Sequence, residues 1–324
     1  MVAAVRVHKT GGPEVLTYED VEVGQPGPGQ LRVKQHAAGL NYIDTYFRSG
    51  LYAAPSMPFV AGNEAAGEVT AVGPNVTEFK VGDRVAYVAP MWGYAAERLA
   101  PAERAVKLPE QISYEQAAGM MLKGMTVQYL LNRTFKVEKG MTILIHAAAG
   151  GVGLIACQWA NHLGAKVIGT VGSKAKADLA SRNGCHHTIL YRDEDFVARV
   201  KEITGGAMVP VVYDGVGKDT FPGSLDCLAP LGMFVTYGNA SGPIEPFSLL
   251  LLSQKGSLYA TRPTLNTYTA KREDLLKTAQ DLFDVVIKGA VKIPINHVYA
   301  LKDAPQAHRD LEGRKTTGSV ILKP

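Results

Sequence analysis

Several features are missing from this chain, and each absence narrows what it is. No run of about 18 or more uncharged apolar residues occurs, so no segment reads as a membrane span. The three cysteines, Cys157, Cys185 and Cys227, stand far apart and form no C-x-x-C pair. They cannot build a four-cysteine structural zinc site, and they suit a reducing, cytoplasmic compartment. The first residues carry charges and lack the layout of a secretory leader; alternating Val2, Val5 and Val7 read as a first strand. Basic residues do not cluster with aromatics and the net charge is only +4, so nucleic acid is not an expected partner. The histidines form no metal pattern: His186 and His187 are adjacent and point different ways, and His146 reads as structural. No internal repeat or low-complexity segment appears.

What is present has a globular balance, 46% hydrophobic and 20% charged, over 324 residues, enough for two domains. Residues 1–125 are rich in turn signals between short strand-like runs, at 67–72 and 84–89, and read as an irregular, mostly β domain. From 126 to 262 strands alternate with helices: 142–146 then 151–163, 166–170 then 173–182, 188–190 then 193–201, 209–213 then 219–228, and 232–236. That alternation predicts a doubly wound parallel sheet, an α/β domain. Residues 263–324 hold a long amphipathic helix at 272–288, a strand at 295–300, a helix at 304–312 and a strand at 318–322. They are expected to return and complete the first domain.

The segment MTILIHAAAGGVGLIACQWANHLGA runs from an apolar strand through a glycine-rich turn into an apolar helix. Its spacing is that of a dinucleotide fingerprint, with Ala148 where the first glycine often stands, then Gly150 and Gly153. Gly150 lets a pyrophosphate approach the backbone. Gly153 lets the helix pack closely, and the helix start offers N–H groups and partial positive charge. An acid that would bind a ribose 2′-hydroxyl is absent after the second strand. Gly172, Ser173, Lys174 and Lys176 stand there instead, which suits a 2′-phosphate and predicts NADPH over NADH. Tyr191 follows the next strand and is placed to pack beside the adenosine.

The runs GGPEVL (11–16), NYID (41–44), GNEAAG (62–67), GDRV (82–85), HAAAGGVG, YDGVG (213–217) and QKGSLYATRP (254–263) carry a resemblance over essentially the whole chain. The sequence resembles the zinc-free NADPH:quinone oxidoreductases, the ζ-crystallin-like branch of the medium-chain dehydrogenase/reductase superfamily. The resemblance implies a GroES-like catalytic domain, 1–125 with 263–324, and a Rossmann NADPH-binding domain, 126–262. The superfamily's zinc alcohol dehydrogenases place Cys where Asn41 stands and His where Asn63 stands. Asp44 and Glu64 alone make a poor zinc site.

The resemblance nominates Asn41, Tyr46 and Tyr52 as catalytic residues beside a quinone, whose oxygens gain negative charge on reduction. Asp44 and Glu64 are expected to order that site or relay a proton. For the cofactor it nominates Thr126 near the nicotinamide, Gly150, Gly151 and Val152 at the pyrophosphate, and Gly172, Ser173, Lys176 and Tyr191 at the 2′-phosphate end. Gly238, Asn239, Arg262 and Arg314, the last of them expected in a tail helix, complete the set. It also implies a homodimer, for which the apolar strands expected at 249–252 and 257–260 offer an edge. Two other activities stay open: reduction of activated C=C bonds in 2-alkenals or enoyl thioesters, and NADPH or RNA binding with little turnover.

Overall fold

The computed structural model describes residues 1–324. Strands β1 (Val2–Val7) and β2 (Leu16–Val21) pair antiparallel, and β3 (Gln30–Leu40) leads into α1 (Tyr42–Ser49). Next come β4 (Phe59–Val60), β5 (Glu64–Val72), β6 (Arg84–Val88), β7 (Glu97–Pro101), β8 (Ala105–Lys107) and α2 (Tyr114–Tyr129). The middle of the chain alternates: β9 (Thr142–Ile145), α3 (Gly151–His162), β10 (Lys166–Val171), α4 (Lys174–Arg182), β11 (His187–Leu190), α5 (Phe196–Ile203), β12 (Val209–Asp214), α6 (Gly223–Asp226) and β13 (Leu228–Thr236). Then follow α7 (Leu250–Gln254), β14 (Tyr259–Thr261), α8 (Leu265–Tyr268), α9 (Arg272–Ile287), β15 (Ile295–Ala300), α10 (Ala304–Glu312) and β16 (Ser319–Lys323).

Two compact units result. The first comprises Met1–Lys123, Thr269–Ile287 and Ile293–Pro324; the second comprises Gly124–Tyr268 and Lys288–Lys292. In the first unit a seven-stranded sheet follows the path β15-β16-β3-β5-β6-β8, with β7 also on β3. Alternating burial along β3 puts Leu31 and Val33 into the core. β16 pairs antiparallel with β3, and Leu301, Ala304, Ala307, Val320 and Leu322 join the same core.

The second unit holds six parallel strands in the order β11-β10-β9-β12-β13-β14. The order reverses at β9, as in a Rossmann sheet. Leu144, Ile168, Val212 and Phe234 are fully buried between the helical layers. Each contributes roughly 1.5–3 kcal/mol by leaving water. Helix starts are fixed by side chains that accept orphan N–H groups: Ser173 Oγ from Lys176 N, and Asp195 Oδ1 from Val197 N and Ala198 N.

Three local expectations are corrected. Residues 249–252 do not form a strand; most of them lie in the short helix α7, where an apolar run at helical spacing packs Leu251 and Leu252 on the core. The helix expected over 219–228 shrinks to α6, because Pro222 lacks an N–H and serves as its N-cap. Arg314 does not lie in the tail helix; it follows α10 with a left-handed φ of 58°.

Candidate functional site

In the second unit the cofactor candidates gather where parallel strands end. β9 stops at Ile145, and Ala147 turns the chain with a φ of 53° before α3 begins at Gly151. Ala148 N donates to Thr170 O at 3.0 Å and Gly150 N to Ala147 O at 2.9 Å, which ties the turn to β10 and to itself. The first N–H groups of α3, from Gly151 and Val152 onward, have no intrahelical acceptor, as at any helix start. A Cβ on Gly153 would lie 2.3 Å from Ala147 O, so only glycine lets the helix sit against the turn.

Gly172 follows β10, and Ser173 caps α4. A Cβ on Gly172 would come 3.2 Å from Tyr191 Oη and 3.5 Å from Arg192 Nε, so Tyr191 and Arg192 lie beside the bare glycine. Lys176 is half-buried on the first turn of the same helix. Past β13, Arg262 Nη1 donates to Thr236 Oγ1 at 3.3 Å and Gly238 O at 3.2 Å. With the Asn239 amide oriented to suit its neighbours, its oxygen accepts from Arg262 Nη2 at 3.2 Å. A Cβ on Gly238 would meet Gly215 O at 2.4 Å, so the β12 and β13 loops close on one another. Thr126, on α2, is buried and hydrogen-bonds Tyr129. These bare-backbone approaches at the carboxyl edge, with a capped helix and cations beside one of them, form a cradle that fits a phosphorylated dinucleotide.

Beneath the cradle lies a network with no counterpart among the expected site residues. His146 Nδ1 is 2.8 Å from Thr170 Oγ1, and Nε2 is 3.0 Å from Ser224 Oγ. Asp214 accepts from Ser224 Oγ, Thr220 Oγ1, Val216 N and Gly217 N. His146 is fully buried, and burial holds its imidazole neutral. The group is structural: it fixes the β12 loop to the strand that carries the glycine turn. Cys157 and Cys185, far apart in sequence, meet in this unit, both buried, and the Cys185 neighbour together with burial raises the Cys157 pKa well above an ordinary thiol's.

In the first unit Asn41, Asp44 and Glu64 come together in one buried cluster. Asn41 caps α1, and its backbone N donates to Asp44 Oδ2 at 2.8 Å. Its amide Nδ2 donates to Glu64 Oε2 at 2.8 Å. Asn63 Nδ2 donates to Asp44 Oδ1 at 2.6 Å, and Leu122 N donates to Glu64 Oε1 at 2.7 Å. The two asparagines therefore give N–H groups to the two carboxylates. No group of three or more His, Cys, Asp or Glu side chains lies positioned to share a metal ion. Burial pushes Asp44 up to about 6, against the pull of Asn63, Asn41 N, Tyr94 and Lys123. Glu64 is likewise raised by burial, with Lys123 opposing.

Four members of this cluster were not anticipated. Lys123 lies 95% buried, with Nζ 3.5 Å from Glu64 Oε2. The others form a chain: Arg48 Nη1 donates to His308 Nδ1 at 3.1 Å, which leaves Nε2 to carry the proton toward Tyr94 Oη at 3.3 Å. Tyr94 Oη then donates to Asp44 Oδ2 at 2.9 Å. Arg48 is held by both oxygens of Glu312. Lys123 left a signal in the sequence, a lone cation inside the apolar run MMLKGM; Arg48, Tyr94 and His308 left none.

Tyr46 and Tyr52 follow Asn41 and Asp44 closely in sequence, and their rings pack on one another. Their centroids are 5.2 Å apart, edge to face, and Phe47 meets Tyr52 at 5.8 Å. Tyr46 is buried and Tyr52 half-buried. Arg314 is exposed in its turn after α10.

Comparison with known proteins agrees with both halves. Residues 27–138 match the alcohol dehydrogenase GroES-like domain family, and residues 151–285 match the zinc-binding dehydrogenase family. A quinone oxidoreductase of Pseudomonas aeruginosa is 53% identical, covering all of both chains. A 2-haloacrylate reductase of a Burkholderia species is 48% identical over all of this chain and 99% of its own. A crystal structure of Escherichia coli quinone oxidoreductase complexed with NADPH superposes with a TM-score of 0.98 at 48% identity, covering 99% of this chain and 100% of that one.

Proposed function

Because the chain belongs to the quinone oxidoreductases of the medium-chain dehydrogenase/reductase superfamily, we propose that it reduces quinones with NADPH and without a metal. The observation that carries this reading is the cradle on the second unit. Glycines 150, 172 and 238 bare the backbone at the carboxyl ends of the parallel strands, and Ser173 and Lys176 stand where an NAD enzyme keeps an acid, with Tyr191 beside Gly172.

Gly150, Gly151 and Val152 hold the pyrophosphate on the start of α3. Gly172, Ser173, Lys176 and Tyr191 hold the 2′-phosphate, and Arg192 adds a second cation there. Gly238, Asn239 and Arg262 frame the far side, and Thr126 serves the nicotinamide end. Bound NADPH supplies the hydride. Asn41, Tyr46 and Tyr52 orient the acceptor, whose oxygens accept charge readily and need little Lewis-acid help. Asp44 and Glu64 order Asn41 through its backbone N and its amide. No helix is long and apolar enough to cross a membrane. We further infer a cytoplasmic homodimer: three cysteines without a disulfide suit a reducing compartment, and the edge strand β14, with Tyr259 exposed in it, offers a surface for a second copy, a state read by sedimentation.

A second reading, reduction of an activated C=C bond, is supported by the 2-haloacrylate reductase at 48% identity. Oxidation of NADPH and of NADH, followed by absorbance with 1,4-benzoquinone, a larger ortho-quinone, a 2-alkenal and 2-chloroacrylate, separates the two, with and without a chelator. Chelator-insensitive quinone turnover that prefers NADPH is expected. Turnover with the alkenal or chloroacrylate alone moves the protein to the C=C reductases.

A further inference from the structure

Two carboxylates, Asp44 and Glu64, are buried in one cluster, at 2% and 0% exposure. Neither is cheap to hold as an anion away from water. Neutral donors meet most of their oxygens: Asn63, Asn41 N and Tyr94 on Asp44, and Asn41 Nδ2 and Leu122 N on Glu64. Arg48 reaches Asp44 only through His308 and Tyr94, and its own charge is matched by Glu312. Lys123 is a cation that acts on both carboxylates. It is almost fully buried and pairs with Glu64 Oε2, and Nζ has no hydrogen-bond acceptor to hold it elsewhere. The backbone around Glu64 is shaped to keep that oxygen in place. A Cβ on Gly39 would lie 2.3 Å from Glu64 Oε2 and 2.1 Å from Ala118 O, so the carboxylate rests on bare backbone.

We infer that Lys123 is a positioning residue of the reaction: its ammonium holds Glu64 as a carboxylate against Asn41, and so fixes the amide that meets the acceptor. Asn41 and Lys123 converge on the same atom, Glu64 Oε2. An ionised Glu64 accepts from the Asn41 Nδ2 and sets which end of that amide faces away. A protonated Glu64 donates as well as accepts, so Nδ2 loses its charged acceptor and is left with the longer contact to Gly39 O at 3.4 Å. Lys123 thus acts on the acceptor through two intermediaries and leaves the dinucleotide cradle untouched. The inference rests on the quinone reading for its substrate and on the cluster alone for its electrostatics.

The test is a cycle of Lys123→Met, Glu64→Gln and the double variant in the full-length protein. Each is assayed for quinone turnover and for NADPH binding by fluorescence, with infrared spectra recorded at pH 8. Lys123→Met is expected to lower kcat for 1,4-benzoquinone roughly ten- to a hundredfold, with NADPH affinity within twofold. A protonated-carboxyl band appears in its spectrum and disappears when Glu64→Gln is added. Adding Lys123→Met to Glu64→Gln costs little further activity, because the path through Glu64 is already cut. That last comparison stands even where Lys123→Met alone does not fold, since the double variant carries no unpaired charge. A single variant with unchanged kcat overturns the inference, as does a double variant whose loss is the product of the two single losses. If the wild type turns over no quinone, the quinone reading fails, and the infrared band still decides: its absence from Lys123→Met removes the electrostatic claim, and its presence keeps it.

Discussion

His308 offers a sharp quantitative test of the buried network. Its imidazole is wholly buried, and burial together with the Arg48 guanidinium pushes its pKa from 6.5 down to about 3. A histidine whose folded pKa is depressed stays neutral in the native protein while the unfolded chain takes up a proton. Its contribution to stability is therefore whole above the unfolded value and is lost as pH falls toward the folded one. Between pH 7 and pH 5 that loss comes to about 2 kcal/mol. Asp44 works in the opposite sense: its folded pKa of about 6 lies above the unfolded 3.8, so the fold gains stability as pH drops through that window. A simple pH profile mixes the two, and a paired variant separates them. His308→Gln keeps an acceptor for Arg48 and a donor for Tyr94 but does not titrate. Urea unfolding of both proteins in a Trp159→Phe background leaves Trp92 as the sole tryptophan, a reporter of the first unit. The gap between the two midpoints should shift by roughly 1 M over those pH units, with the histidine protein losing ground in acid. Parallel curves would show that His308 titrates in the native state as it does in the unfolded chain and would break the donor chain from Arg48 to Asp44.

Lys176→Ala should raise KM for NADPH about tenfold, the worth of one charge-assisted hydrogen bond, and leave KM for NADH unchanged in steady-state assays. Gly39→Ala forces a methyl against Ala118 O and Glu64 Oε2, so thermal or urea unfolding should show a loss of about 1–3 kcal/mol; retention of wild-type stability would mean that Glu64 does not rest on this backbone.

The Rossmann half was readable because each strand and helix is written in a continuous stretch. The turn at 146–153 carries its strand, glycines and helix within one segment, and the cradle residues 172, 173 and 176 follow one strand later. Strand and helix cannot be told apart from a short apolar run, which is why α7 at Leu250–Gln254 was expected as a strand. The carboxylate cluster was only half legible. Asn41, Asp44 and Glu64 sit in motifs, whereas Tyr94, Lys123 and His308 arrive from separate elements and meet only after folding. Their roles depend on burial and on which atom faces which, and neither is encoded in local spacing.

The pairing of β16 with β3 has a consequence for synthesis. The first sheet places β3, made early, beside β16, made only after the whole six-stranded unit has emerged. That middle unit is nearly continuous in sequence and can fold as soon as it leaves the ribosome. The sheet begun by β3 and β5 must meanwhile wait with one edge open, lacking Leu301, Ala304, Ala307, Val320 and Leu322 from its core. During translation the chain is thus a finished nucleotide-binding body tethered to an unfinished partner with an uncovered strand. Loss of β16 should strand it there, which makes that one strand a control point for solubility out of proportion to its length.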